Sequence, residues 1–247
     1  MDLRNYLDST YLKLASEANL TEEANDEAVR NVIDEAIAEN FVAVMIRPDH
    51  VKMAKQMILD AGSTVSVGTV IGFPEGTASI EEKLQEAEKA IVDGADELDF
   101  VINYEAYISG DTDLIKAEIS KGTAVGLLHM KKVKWIIESA ALDIHQITQL
   151  CSLIKNVVLT GFTEENYSSV FVKSSTGYYK LEAGRPSGAT IPAIVTMLEN
   201  AAPLPVKASG GIKTYEEAVE YINLGVKRIG TSAAKIIADG GVSAGSY

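Results

Sequence analysis

Eight short runs rich in β-branched residues, alternating with helical segments and never joined by hairpin turn signals, predict a closed (β/α)8 barrel, the TIM-barrel architecture. Strands that alternate with helices in this way pair in parallel through right-handed crossovers, and eight of them in 247 residues fit a closed ring better than an open doubly wound sheet. No Pro/Gly/Ser linker or low-complexity stretch divides the chain, so residues 1–247 are expected to form a single domain.

Leu3–Leu12 supplies the first strand and Glu22–Glu39 the first long helix, with Ala28, Val32, Ala36 and Ile37 along one face. Phe41–Ile46 is a nearly continuous apolar run, the pattern of a strand covered on both faces, and Pro48 ends it. His50–Ala61 follows as a helix. Thr64–Phe73 is strand-like and exits through Gly72 and Pro74; the stretch from Gly68 to Pro74 lacks the spacing of a dinucleotide-binding fingerprint. Ile80–Asp93 reads as a helix with the charges Glu81, Glu82 and Lys83 on its exposed side. Glu97–Asn103 and Val133–Glu138 are the fourth and fifth strands, and Val170–Lys173, Leu204–Ala208 and Lys227–Thr231 complete the set. Helical period recurs over Ile191–Ala201 and Tyr215–Leu224. Lys116–Lys132 and Ala140–Ser168 show no clear period of either kind.

Composition narrows the function. With 22 basic and 35 acidic residues the formal net charge is −13, which disfavours nucleic acid or an anionic membrane as the main partner. An anionic small molecule is still compatible if cations and backbone amides gather locally. Cys151 is the single cysteine, so no intrachain disulfide forms; its helical, apolar neighbourhood marks it as a core residue. No apolar run approaches membrane-spanning length and the N-terminus lacks an apolar leader segment, so a soluble, cytoplasmic protein is expected. His50, His129 and His145 are not at metal-ligand spacing, and neither a metal nor another cofactor is expected.

In such barrels chemistry gathers at the C-terminal ends of the strands. The residues falling there are Asp8, Met45, Asp99, Glu138, Lys173, Lys207 and the Gly230-Thr231-Ser232 turn, a set too charged to be packing alone. Lys173 and Lys207 each close an apolar run before small, turn-forming residues. Two cations converging on one pocket lower the pKa of the more desolvated amine and leave it free near neutral pH, the starting point for Schiff-base chemistry. A solvated strand-end lysine is the commoner fate of one such residue; the repetition favours function. Asp99, flanked by apolar residues, needs a cation to stay ionised. It serves either as a proton shuttle and support for the amine or as one half of a structural ion pair. The turns Gly210-Gly211 and Gly230-Thr231-Ser232 follow strands seven and eight, where barrels commonly cradle phosphate, and Ser174, Ser175, Thr176 and Gly177 add hydroxyls and amides from the preceding loop. A non-catalytic sugar-phosphate-binding barrel, with the lysines as counter-charges, is the competing reading.

These residues resemble the 2-deoxyribose-5-phosphate aldolases, class I aldolases on a (β/α)8 barrel. The shared motifs span nearly the whole chain: Leu-Asp8-Ser-Thr10-Tyr-Leu-Lys13, Val-Ile-Gly72-Phe-Pro74 with Gly76, Gly94-Ala-Asp96-Glu-Leu-Asp99, and Lys134-Trp-Ile-Ile-Glu138. Phe-Val-Lys173-Ser-Ser-Thr176-Gly177, Lys207-Ala-Ser-Gly210-Gly211 and Arg228-Ile-Gly230-Thr-Ser232 complete them. The resemblance implies reversible cleavage of 2-deoxy-D-ribose 5-phosphate to acetaldehyde and D-glyceraldehyde 3-phosphate. It makes Lys173 the Schiff-base residue, Lys207 the cation that depresses its pKa, and Asp99 a proton relay with Lys207 through a water. It gives Tyr247 proton transfer at the enamine carbon and Gly177, Gly210, Gly211, Gly230 and Ser232 the phosphate. Asp8 supports the lysines or a substrate hydroxyl, and a homodimer is common in the resembling family. Three positions depart from it: Ser9 stands where histidine is frequent, Met45 where many members carry cysteine, and Ala233 where a second serine is common.

Overall fold

The computed structural model describes residues 2–180 and 188–242. Eight parallel strands close a ring in chain order: β1 (Leu7–Thr10), β2 (Ala43–Ile46), β3 (Ser66–Ile71), β4 (Glu97–Val101), β5 (Lys132–Ile136), β6 (Val170–Lys173), β7 (Val206–Ser209) and β8 (Arg228–Thr231). After β1 come α1 (Ala15–Ala18) and α2 (Glu22–Glu39), after β2 α3 (Val51–Asp60), and after β3 α4 (Ile80–Asp93). β4 leads to α5 (Tyr104–Ile108) and α6 (Thr112–Leu128), β5 to α7 (Ile144–Gly161), β6 to α8 (Ile191–Ala201), β7 to α9 (Tyr215–Leu224) and β8 to α10 (Ala234–Ala238). The ring shuts where Asp8 of β1 lies opposite Gly230 of β8. All eight expected strands are therefore present, and the (β/α)8 barrel with them.

Several ends differ from expectation for local reasons. The first run opens as a 3-10 turn, Leu3–Asn5, because Asp2 accepts from the Arg4 amide at 3.1 Å and the Arg4 guanidinium is tied to Glu39 and Asp239. β5 stops at Ile136, and Glu138 leaves the strand with φ 49°. α2 buries Val29, Ile33 and Ala36, a face turned slightly from the one expected. Two helices occupy the segments without clear period. α6 carries Gly122 and Gly126, poor helix formers, yet their bare faces let it lie on β5. A Cβ at 122 would stand 2.7 Å from the Trp135 ring, and one at 126 2.2 Å from Val133 Cγ2. α7 starts with a reciprocal cap between Asp143 and Gln146 and buries Leu150, Ile154 and Val158. Cys151 is buried there as expected, and burial pushes its thiol up to about 12.

Alternation along each strand divides the interior in two. Leu7, Val44, Val67, Leu98, Trp135, Val172, Ala208 and Ile229 belong to the apolar core between ring and helices. The intervening positions face the ring axis and carry, among apolar residues such as Met45, Val70 and Ile136, a set of charges: Asp8, Glu97, Asp99, Lys134, Lys173, Lys207 and Arg228 are all buried. Lys83, expected at the surface, is also buried, at 1% exposure. Its stem crosses the space left by Gly72, where a Cβ would stand 2.6 Å from Lys83 Cε. Its ammonium donates to the carbonyls of Gly76 (2.6 Å) and Val101 (2.7 Å) and to Glu118. These acceptors replace water, so the charge is held inside and ties the segment after β3 to the end of β4 and to α6.

Candidate active site

Asp99 organises the centre of the ring. Its Oδ2 accepts from Lys173 Nζ at 2.9 Å and Lys207 Nζ at 3.0 Å, and its Oδ1 from Lys134 Nζ at 2.5 Å. β6 and β7 bring the first two lysines together, since Lys173 and Lys207 are partners in register. Lys207 Nζ is also 2.6 Å from Asp8 Oδ2, on the far side of the ring closure. Arg228 donates from Nε to Asp8 Oδ1 at 2.7 Å and through both terminal nitrogens to Glu97 at 3.0 and 3.1 Å. Lys134 Nζ reaches Glu97 as well, at 2.6 Å.

The two principal lysines differ in their electrostatics. Burial, offset in part by Asp99 and reinforced by Lys207, brings the Lys173 ammonium down from its ordinary 10.5 to about 8. Burial opposes the charge on Lys207 too, but Asp8 and Asp99 outweigh it and hold its pKa above the ordinary value. Asp99 is held well below the usual carboxylate range: burial would raise it, and Lys134, Lys173 and Lys207 overcome that. Glu97 is likewise lowered against burial, by Lys134 and Arg228. Of these two lysines, the more readily deprotonated therefore sits beside one that keeps its charge.

The mouth is built by the loops after β5, β6 and β7. Glu138 accepts from Ser175 Oγ at 2.7 Å, from the Thr176 amide at 3.1 Å and from the Thr176 hydroxyl, which pins the Ser175-Thr176-Gly177 segment. Ser174 Oγ donates to the Ser209 carbonyl at 2.8 Å, and Ser209 Oγ donates to the Ser175 carbonyl at 2.6 Å, lacing this loop to the end of β7. Gly210 and Gly211 follow with φ of 92° and 80°, a left-handed pair that only glycine adopts freely. Cavities of about 320 and 260 Å³ open beside the Thr176–Tyr178 segment, the first lined by Tyr104, Glu138, Thr176 and Tyr179, the second by Lys13, Glu17 and Gly177. An apolar groove of about 610 Å³ lies at the opposite end of β6 to β8, against Tyr167, Leu204 and Lys227, away from the lysines.

Asp8, Asp99, Lys173 and Lys207 thus meet as the sequence predicts, and Thr176, Gly177, Gly210 and Gly211 lie on the adjoining loops. Gly230 is not part of a turn. It lies within β8, and a Cβ there would stand 3.1 Å from Lys207 Cε and 3.2 Å from Ser209 Cβ, so its bareness makes room for Lys207. Ser232 follows the strand and is exposed. Met45 is buried inside the ring rather than at its mouth, its sulfur filling the space over Gly68. Tyr247 lies outside the described residues. Sequence reasoning missed Lys134, Glu97 and Arg228 as members of the constellation. The signal was the charge at every second position of Glu97-Leu98-Asp99 and Lys132-Val133-Lys134, which places both charges of each strand on the same face.

A family model described as DeoC/LacD family aldolase matches residues 6–245. A protein from Thermococcus gammatolerans named deoxyribose-phosphate aldolase is 38% identical over 97% of this chain and 96% of its own length. One of the same name from Streptococcus gordonii is 36% identical over the full length of both. A solved structure from Coccidioides immitis, described as a putative deoxyribose-phosphate aldolase, aligns with a TM-score of 0.78 at 32% identity, covering 96% of this chain and 85% of that one. The deoxyribose phosphate aldolase of Aeropyrum pernix, described as having a unique tetrameric structure, aligns with a TM-score of 0.77 at 28% identity over 96% and 89%.

Proposed function

The chain belongs to the DeoC/LacD family of aldolases, and from that premise we propose that it is a class I aldolase cleaving 2-deoxy-D-ribose 5-phosphate reversibly to acetaldehyde and D-glyceraldehyde 3-phosphate. The observation that carries this is the pairing on Asp99 of one lysine lowered to about 8 with a second held charged. In this reading the free Lys173 amine attacks the C1 aldehyde of the open-chain sugar, and loss of water from the carbinolamine leaves an iminium. The C2–C3 electron pair flows into that iminium to give an enamine, while the C3 hydroxyl loses its proton and becomes the aldehyde of glyceraldehyde 3-phosphate. Protonation at C2 and addition of water then release acetaldehyde and the amine.

Lys207 keeps Lys173 unprotonated, and Asp99 relays protons with Lys207 through a water during the carbinolamine and enamine steps. Asp8 and Gly230 serve the substrate indirectly here, the first by gripping Lys207 and the second by leaving it room. The backbone of Gly177, Gly210 and Gly211, with Thr176 and Ser232, is read as the phosphate cradle, and Tyr247 as an aid to proton transfer at C2. We take residues 1–247 as one domain, since the ring runs unbroken from Leu7 to Thr231. A homo-oligomeric state in the cytoplasm, compatible with the lone buried cysteine, belongs to the same reading.

The direct test is incubation with acetaldehyde and borohydride followed by mass mapping of the adduct. Labelling is expected on Lys173 and absent in Lys173→Ala; an adduct that persists in that variant would sink the assignment. Cleavage of deoxyribose 5-phosphate is expected to exceed that of fructose 1-phosphate and fructose 1,6-bisphosphate, and the reverse order would reassign the substrate.

A further inference from the structure

The ions along the barrel axis form one connected set rather than separate pairs, and their charges do not cancel. Glu97 receives Lys134 and Arg228, Asp8 receives Arg228 and Lys207, and Asp99 receives Lys134, Lys207 and Lys173, at 2.5 to 3.0 Å in each case. All seven side chains are 5% exposed or less. Four cations therefore meet three anions where a surplus charge is costly. Among the described residues Lys134, Lys207 and Arg228 each touch two carboxylates, whereas Lys173 touches one, so Lys173 sheds its proton at the least loss. With that amine free, the set stands at three against three.

We propose that Glu97 and Arg228 are positioning residues for the Lys173 amine, completing this balance from a distance while holding Lys134 and Asp8 where these grip Asp99 and Lys207. The proposal rests on the reading of Lys173 as the nucleophile. Glu97 and Arg228 act through others, since neither is paired with Lys173. The remaining charges nearby, among the described residues, are engaged otherwise. Glu138, beyond β5, accepts from Ser175 and Thr176, and Lys132, 3.4 Å from Glu97, has a side chain 42% exposed and screened by water. Loss of the Glu97 charge leaves positive surplus, so Lys173 gives up its proton at lower pH. Loss of the Arg228 charge leaves a deficit, so Lys173 holds its proton to higher pH.

The test is the rate at which acetaldehyde and cyanoborohydride modify Lys173 in the full chain, followed by mass spectrometry from about pH 5.5 to about pH 10. In Glu97→Gln the midpoint of the rise is expected about one pH unit below wild type, and in Arg228→Met about one unit above, each about a tenfold change in rate on the rising limb. The double variant is expected to return near the wild-type midpoint, since it restores equal charge. Arg228→Lys, which keeps the charge but loses the fork, is expected to stay there. Shifts of the same sign, no shift, or a double variant displaced further than either single one would overturn the proposal. Should Arg228→Met not fold alone, comparing Glu97→Gln with the double variant still decides: adding Arg228→Met must raise the midpoint. No Lys173 adduct at any pH in the wild-type protein would instead overturn the reading of Lys173 as nucleophile.

Discussion

Among the described residues Lys173 is unusual for what it lacks: its ammonium meets one carboxylate, while its neighbours on the ring axis meet two. At about 8, roughly one molecule in ten carries the free amine at pH 7, against about one in 3,000 for an ordinary lysine. Adduct formation is therefore expected to climb through about pH 8 and then level. Lys207→Met removes a repelling cation and frees Asp99 to favour the Lys173 ammonium, so the rise should move to higher pH; a pH–rate profile of trapping reads the shift directly. Gly230→Ala is expected to displace Lys207, lowering cleavage about 10- to 100-fold with about 1–2 kcal/mol lost in urea unfolding. An unchanged rate would show that Lys207 tolerates the methyl. At this scale the two lysines were legible because each closes an apolar run, and Asp99 because it stands between apolar neighbours. Lys134, Glu97 and Arg228 were not, because each is neutralised by residues from other strands, a relation no single segment displays.

Elements were legible where one pattern dominated. β2, β3 and β6 read as apolar runs and were found within a few residues of expectation. α6 was obscured by Gly122 and Gly126, which depress helix propensity, and α7 by apolar residues on more than one face. Tertiary packing resolves the first case: the glycines admit Trp135 and Val133. Gly122→Ala, which would strengthen an isolated helix by about 1 kcal/mol, is expected to destabilise this protein by about 1–3 kcal/mol because the methyl meets the Trp135 ring. Chemical denaturation of the two proteins side by side distinguishes the outcomes, and a more stable variant would mean that α6 can retreat from β5. Lys83 misled for the opposite reason. It looked like part of an exposed charge cluster, and only the carbonyls of Gly76 and Val101 with Glu118 explain its burial.

As a whole, the molecule wears its apolar core as a sleeve around an ionic filling. That arrangement ties stability to pH. Asp99 and Glu97 are depressed in the folded state, so their contribution is fully present above the ordinary carboxylate pKa of about 4 and is lost as pH falls through their folded values. The urea midpoint is accordingly expected to hold from about pH 7 to about pH 5 and to drop steeply below about pH 4. Asp99→Asn is expected to lose about 3–5 kcal/mol at neutral pH, since three lysines lose their shared partner, and to show a shallower fall in acid. Equal pH slopes in the two proteins would remove Asp99 from the account.

Asp8 comes from the first strand of the ring, Lys207 and Arg228 from the last two, and they meet only across the final seam. A nascent chain that has made β6 but not β8 already holds Asp8 and Asp99, but has neither Arg228 nor a closed ring to set them against Lys207 and Lys173. On the reading of Lys173 as the nucleophile, the burial that lowers its amine is complete only once the last strand has closed the ring, so aldehyde trapping is expected of the finished barrel and not of a chain cut short before β8.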